Sequence, residues 1–334
     1  MEVENGSNKE VFNPSEIDTQ DDEPSLTEKY YATMERLSEE DKKELISQLK
    51  EGKYQEWKKT HSGSYAEFQH YTIDRFVNNP DDEDEEADKN ENISNHLEET
   101  GVVKNADLKG FDPDFSIELQ NAFDDAKEDF PDLEISYCGT IQSQVEGIRE
   151  TIAEKYEAKL KELNGDSFSD AYYKKVANDY ADNVISRYGL NDTDGVFAWS
   201  MHLPGQTYEK YNGIGINETF ASNNSYFTEM KESEVLAKHK PIGCDTPRAT
   251  VDHELGHEID KLVGASDDDY IISLYNQMIE DGNAEEVLSG YSQTNVSEFI
   301  AEAYSEYRNN PTPREYAVKV YERLVELYNE RGNH

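Results

Sequence analysis

The sequence is poor in cysteine, in basic residues and in long apolar runs. Its 334 residues include 2 Cys, Cys138 and Cys244, which stand far apart, so we expect neither a disulfide framework nor a cysteine-rich zinc site. Lys and Arg number 32 against 73 Asp and Glu, a net charge of −41 that argues against direct contact with nucleic acid or anionic lipid. No run approaches the ~18 apolar residues that a membrane span needs. Any metal ion must therefore be bound by histidines and carboxylates.

The distribution of charge predicts the domain organisation. Residues 81–100 contain ten acids and one Lys, and this self-repelling composition predicts an extended acidic linker over 81–110. Residues 1–24 are predicted to be a flexible tail, and apolar residues at helical spacing predict a small helical module over 25–80. The remainder, 111–334, is predicted to form one larger domain.

The larger domain is predicted to belong to the α+β class. Apolar residues at helical spacing precede two short β-leaning runs, VFAW (196–199) and GIGIN (213–217), and further helical patterns follow. This order predicts a mainly helical domain with a small mixed sheet. Within it, Tyr172, Tyr180 and Tyr188 recur on a helical repeat, and we expect this tyrosine face to be packed.

The segment 253–257 reads HELGH and has the residue types of a metal site. Thr246 can cap a helix here, so the motif is predicted to lie within one helix. His253 and His257 are four residues apart, and on a helix they would face the same side and offer two nitrogens to one ion. Glu254 would then be placed to take a proton from water at an open coordination position. The alternative is an exposed, charged helix with two incidental histidines.

A second predicted helix supplies a third ligand. In the run 290–307, Asn295 can cap a helix on which Glu298 and Glu302 are one turn apart. A zinc hydrolase needs three protein ligands and an open fourth position, and Glu298 completes such a set. Glu302 is predicted to accept the free ring N–H of a ligand histidine, and Asp260 to orient a ligand from behind. For each carboxylate the alternative is an ordinary surface acid on an acidic protein.

Taken together, these residues resemble the gluzincin metallopeptidases, in which HExxH is followed by a glutamate ligand on a downstream helix. The run YSQTNVSEFIAEAY (291–304) is more narrowly similar to the catalytic domain of the anthrax lethal factor group. That resemblance implies that Tyr291, seven positions before Glu298, hydrogen-bonds the oxyanion formed during peptide hydrolysis. The run GCDTPRATVDHELGHEID (243–260) is more weakly similar to metallopeptidase-like domains of phage minor head proteins.

The gluzincin resemblance also implies a substrate-binding strand. In that family an edge strand lies over the cleft and pairs with the extended substrate, and GIGIN is the candidate in this chain. Gly215 and Asn217 are therefore the expected substrate-binding residues, with Asn217 as a backbone clamp. The alternative for GIGIN is a buried structural strand with tight glycine packing.

The expected protein is a zinc-dependent endopeptidase, a metalloprotease with Zn²⁺ as cofactor and a protein or peptide as substrate. Its expected fold is a zincin-type α+β domain preceded by the small helical module. No nucleic-acid or membrane partner is expected, and the N-terminal module is the candidate for contacts within a larger assembly. The rival hypothesis is a non-catalytic structural or interaction protein, such as a phage virion component, that retains the zincin scaffold. Because the start MEVENGSNKE has no export signal, the expected location is cytoplasmic or virion-associated.

Overall fold

The computed structural model describes residues 82–193, 196–205 and 208–331, together with four isolated positions before residue 82. The chain divides into two compact units, Met1–Asp82 and Glu83–His334. The predicted tail 1–24 lies outside the described residues, and of the predicted module only the four isolated positions are described.

Four strands form a small mixed sheet: Ala106–Asp107 (β1), Tyr137–Thr140 (β2), Ala198–Met201 (β3) and Gly213–Ile216 (β4). Their order across the sheet is β1-β2-β4-β3. Strands β1, β2 and β4 run parallel to one another, whereas β3 pairs with β4 in the antiparallel direction. In the sheet formed by the described residues, β4 therefore lies between two strands and β3 has a partner on one side only.

Helices account for most of the described residues, which confirms the predicted α+β class with a mainly helical domain. They are Asp82–Glu99 (α1), Pro113–Asp129 (α2), Ile141–Asn164 (α3), Asp170–Arg187 (α4), Glu218–Ala221 (α5), Asn224–Leu236 (α6), Pro247–Val263 (α7), Asp269–Asp281 (α8), Ala284–Val287 (α9), Val296–Asn309 (α10) and Glu315–Arg331 (α11).

The described residues form two hydrophobic cores. The larger core lies between the sheet and helices α2, α7, α10 and α11. Leu119 and Phe123 on α2 are fully buried in it. The smaller core lies between α3 and α4, where Ile148 packs with Ala177 and Ala181. Burial of these apolar faces holds the helices in place, since a helix of this length has little stability by itself.

Helices α7 and α10 approach each other closely within the larger core. A Cβ atom added at Gly256 of α7 would lie only 2.8 Å from Ala301 Cα of α10. The absence of a side chain at this position therefore sets the distance between the two helices.

Ion pairs join α2 to this helix pair. On α2, Asp125 pairs with Arg248 of α7, and Asp129 accepts from Arg308 of α10 over 2.8 Å. The Arg308 side chain also lies 3.4 Å from Asp125. Two carboxylates on one helix thus connect to guanidinium groups on both of the others.

The prediction of an extended acidic linker over 81–110 is wrong, because α1 and β1 both lie within this segment. On α1, Asn90, Ile93 and Leu97 recur at helical spacing and are buried. The Asn90 side-chain amide also donates to the Phe111 carbonyl over 2.7 Å. These tertiary contacts stabilise a helix that repulsion among the acids would otherwise disfavour.

The tyrosine face predicted to be packed lies instead on the outside of α4. Tyr172, Tyr180 and Tyr188 are each about half exposed, and the buried face carries Ala177 and Ala181. The helical period was predicted correctly but its phase was wrong. Small alanines let α3 and α4 approach, and the larger tyrosines are left at the surface.

Candidate metal centre

The HELGH motif lies within α7, as the capping residues predict. The Thr246 hydroxyl accepts from the Ala249 amide over 3.2 Å, and Pro247 occupies the first turn. The helix ends at Gly264, whose left-handed backbone (φ 71°) suits glycine. These signals fix the start and end of α7, and within the helix the four-residue spacing places the two histidines on one face.

The predicted third ligand lies in the first turn of α10. The Asn295 side chain accepts from the Glu298 amide over 2.9 Å and begins the helix at Val296. Because α10 packs directly on α7, the Glu298 carboxylate faces the two histidines.

Three side chains come together at this point. Glu298 Oε2 lies 3.2 Å from His253 Nε2 and 3.5 Å from His257 Nε2. One ligand atom from each of the three residues lies within 4.8 Å of the others. His253, His257 and Glu298 therefore form a group that can hold a metal ion.

The Glu298 carboxylate itself fits a cation at this point. Its Oε2 atom is buried and, among the described residues, has no hydrogen bond of acceptable geometry. Burial raises the pKa of Glu298, but the two histidines outweigh burial and hold this pKa well below its usual range. Two imidazole nitrogens and one carboxylate oxygen are also a usual donor set for zinc.

Glu302, one turn after Glu298, contacts the other side of His253. Its Oε1 atom lies 2.8 Å from His253 Nδ1, so the Nε2 atom of that ring remains directed at the metal position. The carboxylate also accepts from Lys240 and from Ser289, each over 2.7 Å. Although burial raises the pKa of Glu302, Lys240 and His253 lower it to about 2.

Asp260 reaches the second histidine through an intermediate residue. His257 Nδ1 lies 3.0 Å from the Ser297 hydroxyl, which donates to Asp260 over 3.0 Å. Asp260 also accepts from the Ser266 amide over 2.6 Å. Each of the two candidate ligand histidines thus has a carboxylate behind it, directly in one case and through Ser297 in the other. No sequence signal marks Ser297, because its role depends on how α10 packs on α7.

Tyr291 lies beside the same group, in the turn before α10. Its ring centroid is 6.1 Å from that of His253 and 5.2 Å from that of His239. Its amide donates to the His239 carbonyl over 3.1 Å, so the turn is tied to the loop before α7. Burial, followed by the negative charge of Glu298, raises the pKa of Tyr291, which keeps its hydroxyl protonated as a donor.

Glu254 and Tyr291 line one pocket with His253. The pocket has a volume of about 270 Å³, and it is bordered by Ala198 of the edge strand and by Lys240. A substrate group bound there would therefore meet a candidate metal ligand, a carboxylate and a phenol together.

The structure does not support Gly215 and Asn217 as substrate-binding residues. Gly215 lies in the inner strand β4, and a Cβ atom there would collide with the side chains of Gln144 and Trp199. Asn217 is buried and caps α5, accepting from the Thr219 amide over 3.1 Å. The glycines of GIGIN are needed for close packing, which is the structural alternative for this run.

The edge strand beside the pocket is β3. Its Ser200 hydroxyl donates to Glu258 of α7 over 2.7 Å, and the same carboxylate oxygen lies 2.7 Å from His202 Nε2. The strand is therefore attached to the helix that carries the histidines. No sequence signal distinguishes β3 from β4 as the edge strand, because both β-leaning runs are short and apolar.

A scan of protein-family models, a search of curated proteins and a search of solved structures each find no match to this chain. In the part of the chain that the structure describes, every helix is too short or too polar to cross a bilayer.

Proposed function

We propose that this protein is a zinc-dependent endopeptidase of the gluzincin type. The observation that carries the proposal is the convergence of His253, His257 and Glu298, the first of which lines a pocket together with Glu254 and Tyr291. Chance placement of two histidines on a charged surface helix would not bring a carboxylate from another helix to the same point, nor give each ring a further partner.

A zinc ion held by these three residues would supply a Lewis acid that polarises a peptide carbonyl and makes water more acidic. Glu254 takes the proton from the attacking water and returns it to the nitrogen of the departing amine. The Tyr291 hydroxyl donates to the carbonyl oxygen as that oxygen gains negative charge. Glu302 and Ser297 hold the histidine rings in their tautomers and orientations.

The sheet offers a place for an extended substrate at β3. In the described residues this strand has one free edge, and its residue Ala198 borders the pocket. A peptide that added to this edge would run past Glu254 and the metal position with its backbone hydrogen-bonded. The predicted role of a substrate-pairing strand thus passes from β4 to β3.

The test of the metal site is elemental analysis after extensive dialysis without chelator. We expect about one zinc per chain in the wild type, as for a three-ligand site, and a loss of zinc in Glu298→Ala. Glu322→Ala, which alters an exposed glutamate on α11, is the matched control and should keep its zinc. A wild type that binds no zinc even after metal is added contradicts the proposal and favours the rival structural or interaction protein.

The test of catalysis is the Glu254→Gln variant. Because Glu254 is not a ligand, we expect the variant to retain zinc while cleavage of casein and of mixed peptides falls by about 10²–10⁴-fold. Products are identified by mass spectrometry to exclude a contaminating protease. Full turnover in purified, zinc-loaded Glu254→Gln would contradict the assigned mechanism.

A further inference from the structure

Two lysines are buried in the pocket, although the chain as a whole is strongly acidic. The side chains of Lys231 and Lys240 are 4% and 15% exposed, and both residues line the pocket that His253 and Glu254 border. Burying an ammonium group is costly unless it is paired, and each of these lysines pairs with one carboxylate that lines the same pocket.

Lys231 extends from α6 over the rings of two phenylalanines. Its ammonium lies 3.6 Å from the centre of the Phe197 ring and donates to Glu234 over 2.9 Å. The aromatic contact and the single carboxylate hold the head group in one place. Most of the side chain is therefore fixed before any ligand arrives.

Lys240 lies on the loop before α7. It donates to Glu302 over 2.7 Å, and its ammonium is 4.2 Å from the centre of the Tyr291 ring. Its charge is thus fixed next to the phenol that the proposed mechanism uses.

Among the described residues, each ammonium group has acceptors for only part of its N–H donors. Each forms one hydrogen bond to a carboxylate, whereas an ammonium group has three N–H donors. The two groups also repel each other: burial, and then the charge of Lys240, lowers the pKa of Lys231. A ligand with a negative charge would accept the remaining donors and reduce this repulsion.

We propose that Lys231 and Lys240 form a subsite for a carboxylate of the substrate, either an acidic side chain or the carboxyl end of a peptide. The inference rests on the proposed function, since it assigns the substrate class of the same pocket. Both sources present the same carboxylate group, and peptides that carry it either in a side chain or at the carboxyl end distinguish the two.

The charge of the whole chain adds a second preference. With a net charge of −41, the surface attracts basic peptides over long distances, whereas the two buried lysines act only at contact. The best substrate therefore combines basic flanking residues with one carboxylate at the pocket.

The test uses zinc-loaded Glu254→Gln, so that binding is measured without cleavage. The probes are acetylated, amidated peptides with lysine flanks and a central Ala-Ala-X-Ala-Ala segment, where X is Glu, Gln or Lys. Because alanine fills the other positions, a peptide can bind in whichever register brings X to the pocket. A fourth peptide has Gln at X and a free carboxyl end. Dissociation constants are measured by calorimetry at one salt concentration.

We expect the Glu peptide to bind about tenfold more tightly than the amidated Gln peptide. A gain seen only with the free carboxyl end also supports the subsite and assigns the carboxylate to the end of the chain. Equal binding of all peptides, tightest binding of the Lys peptide, or no binding of any of them overturns the inference.

Lysine variants then assign the preference to the pocket. Lys231→Met should reduce the Glu-over-Gln ratio to below about twofold, since it removes the buried charge but keeps the apolar stem. Lys238→Met is the matched control, because Lys238 lies on the same loop as Lys240 but is half exposed and pairs with Glu286. If Lys231→Met fails to fold, as judged by circular dichroism, the peptide series on the parent protein still decides the question.

This inference and the proposed function can fail separately. A zinc-loaded wild type that cleaves all four peptides equally well retains the peptidase function and overturns the carboxylate subsite. A protein that prefers the Glu peptide in binding but cleaves none of the four peptides, nor casein or mixed peptides, retains the subsite and overturns the peptidase function.

Discussion

The helix pair α7–α10 and the helix pair α3–α4 are both closely packed, yet they bury opposite kinds of side chain. Between α3 and α4 the contact is made by alanine and isoleucine, and the polar residues face outward. Between α7 and α10 a glycine and an alanine make the closest contact, and the surrounding buried residues include His253, Glu254 and Glu302.

The two helix pairs differ in whether their buried side chains carry charge. Buried charges are expensive unless they are paired, and in α7–α10 nearly every one has a partner of opposite charge or a hydrogen-bond donor. A pair of helices meant only to pack, such as α3–α4, has no use for that arrangement. We therefore expect α7–α10 to be sensitive to loss of polar groups and α3–α4 to be sensitive only to changes in volume.

Removal of Glu302 should have the largest effect on this contrast. Glu302→Ala leaves the buried ammonium of Lys240 without its carboxylate and His253 Nδ1 without its partner. We expect a loss of about 3–5 kcal/mol of unfolding free energy, measured by urea denaturation in chelator so that metal does not contribute. Zinc affinity should also fall about 10–100-fold. A stability within about 1 kcal/mol of wild type would show that the pair is not energetically coupled.

Substitution of Gly256 should come next. In Gly256→Ala the new methyl group meets the α10 backbone at Ala301, so the two helices must separate. We expect a loss of about 1–3 kcal/mol, despite the better helix propensity of alanine. Because the ligands lie on both helices, zinc affinity should decrease together with urea stability, and unchanged affinity would contradict this geometry.

Ser297→Ala should separate metal affinity from stability. It removes the hydroxyl that links His257 to Asp260, and the substitution favours a helix. We expect zinc to bind about tenfold more weakly, as measured by competition with a chromogenic chelator, while the urea midpoint of the metal-free protein changes little. Wild-type zinc affinity in this variant would mean that Asp260 does not orient the ligand.

The smallest effect is expected on the outer face of α4. Tyr172→Ser alters a half-exposed side chain and should change stability by less than about 0.5 kcal/mol. The matched variant Ala177→Val adds volume to the buried face and should cost about 1–3 kcal/mol. Thermal unfolding of the two variants side by side tests the phase of this helix, and the reverse order would contradict it.

Local signals allowed helices α7 and α10 to be predicted closely. Thr246, Gly264 and Asn295 act on the backbone within a few residues, so their capping roles are visible without a fold. The four-residue spacing of His253 and His257 is local in the same sense.

Long-range packing decided what the sequence did not predict. The strand at the sheet edge depends on the order in which four short segments assemble, and nothing in GIGIN or VFAW encodes that order. Burial of Ile93 and Leu97 likewise depends on a core supplied by later residues, and so the acidic composition of α1 was misleading. Burial of the two pocket lysines could not be predicted either, because a buried lysine has no sequence signature.

The ion pairs that connect α2 to α7 and α10 limit how far the protein can be shortened. A fragment beginning after residue 130 would retain every candidate ligand but would leave Arg248 and Arg308 without Asp125 and Asp129. Recombinant expression of a minimal domain should therefore start before α2.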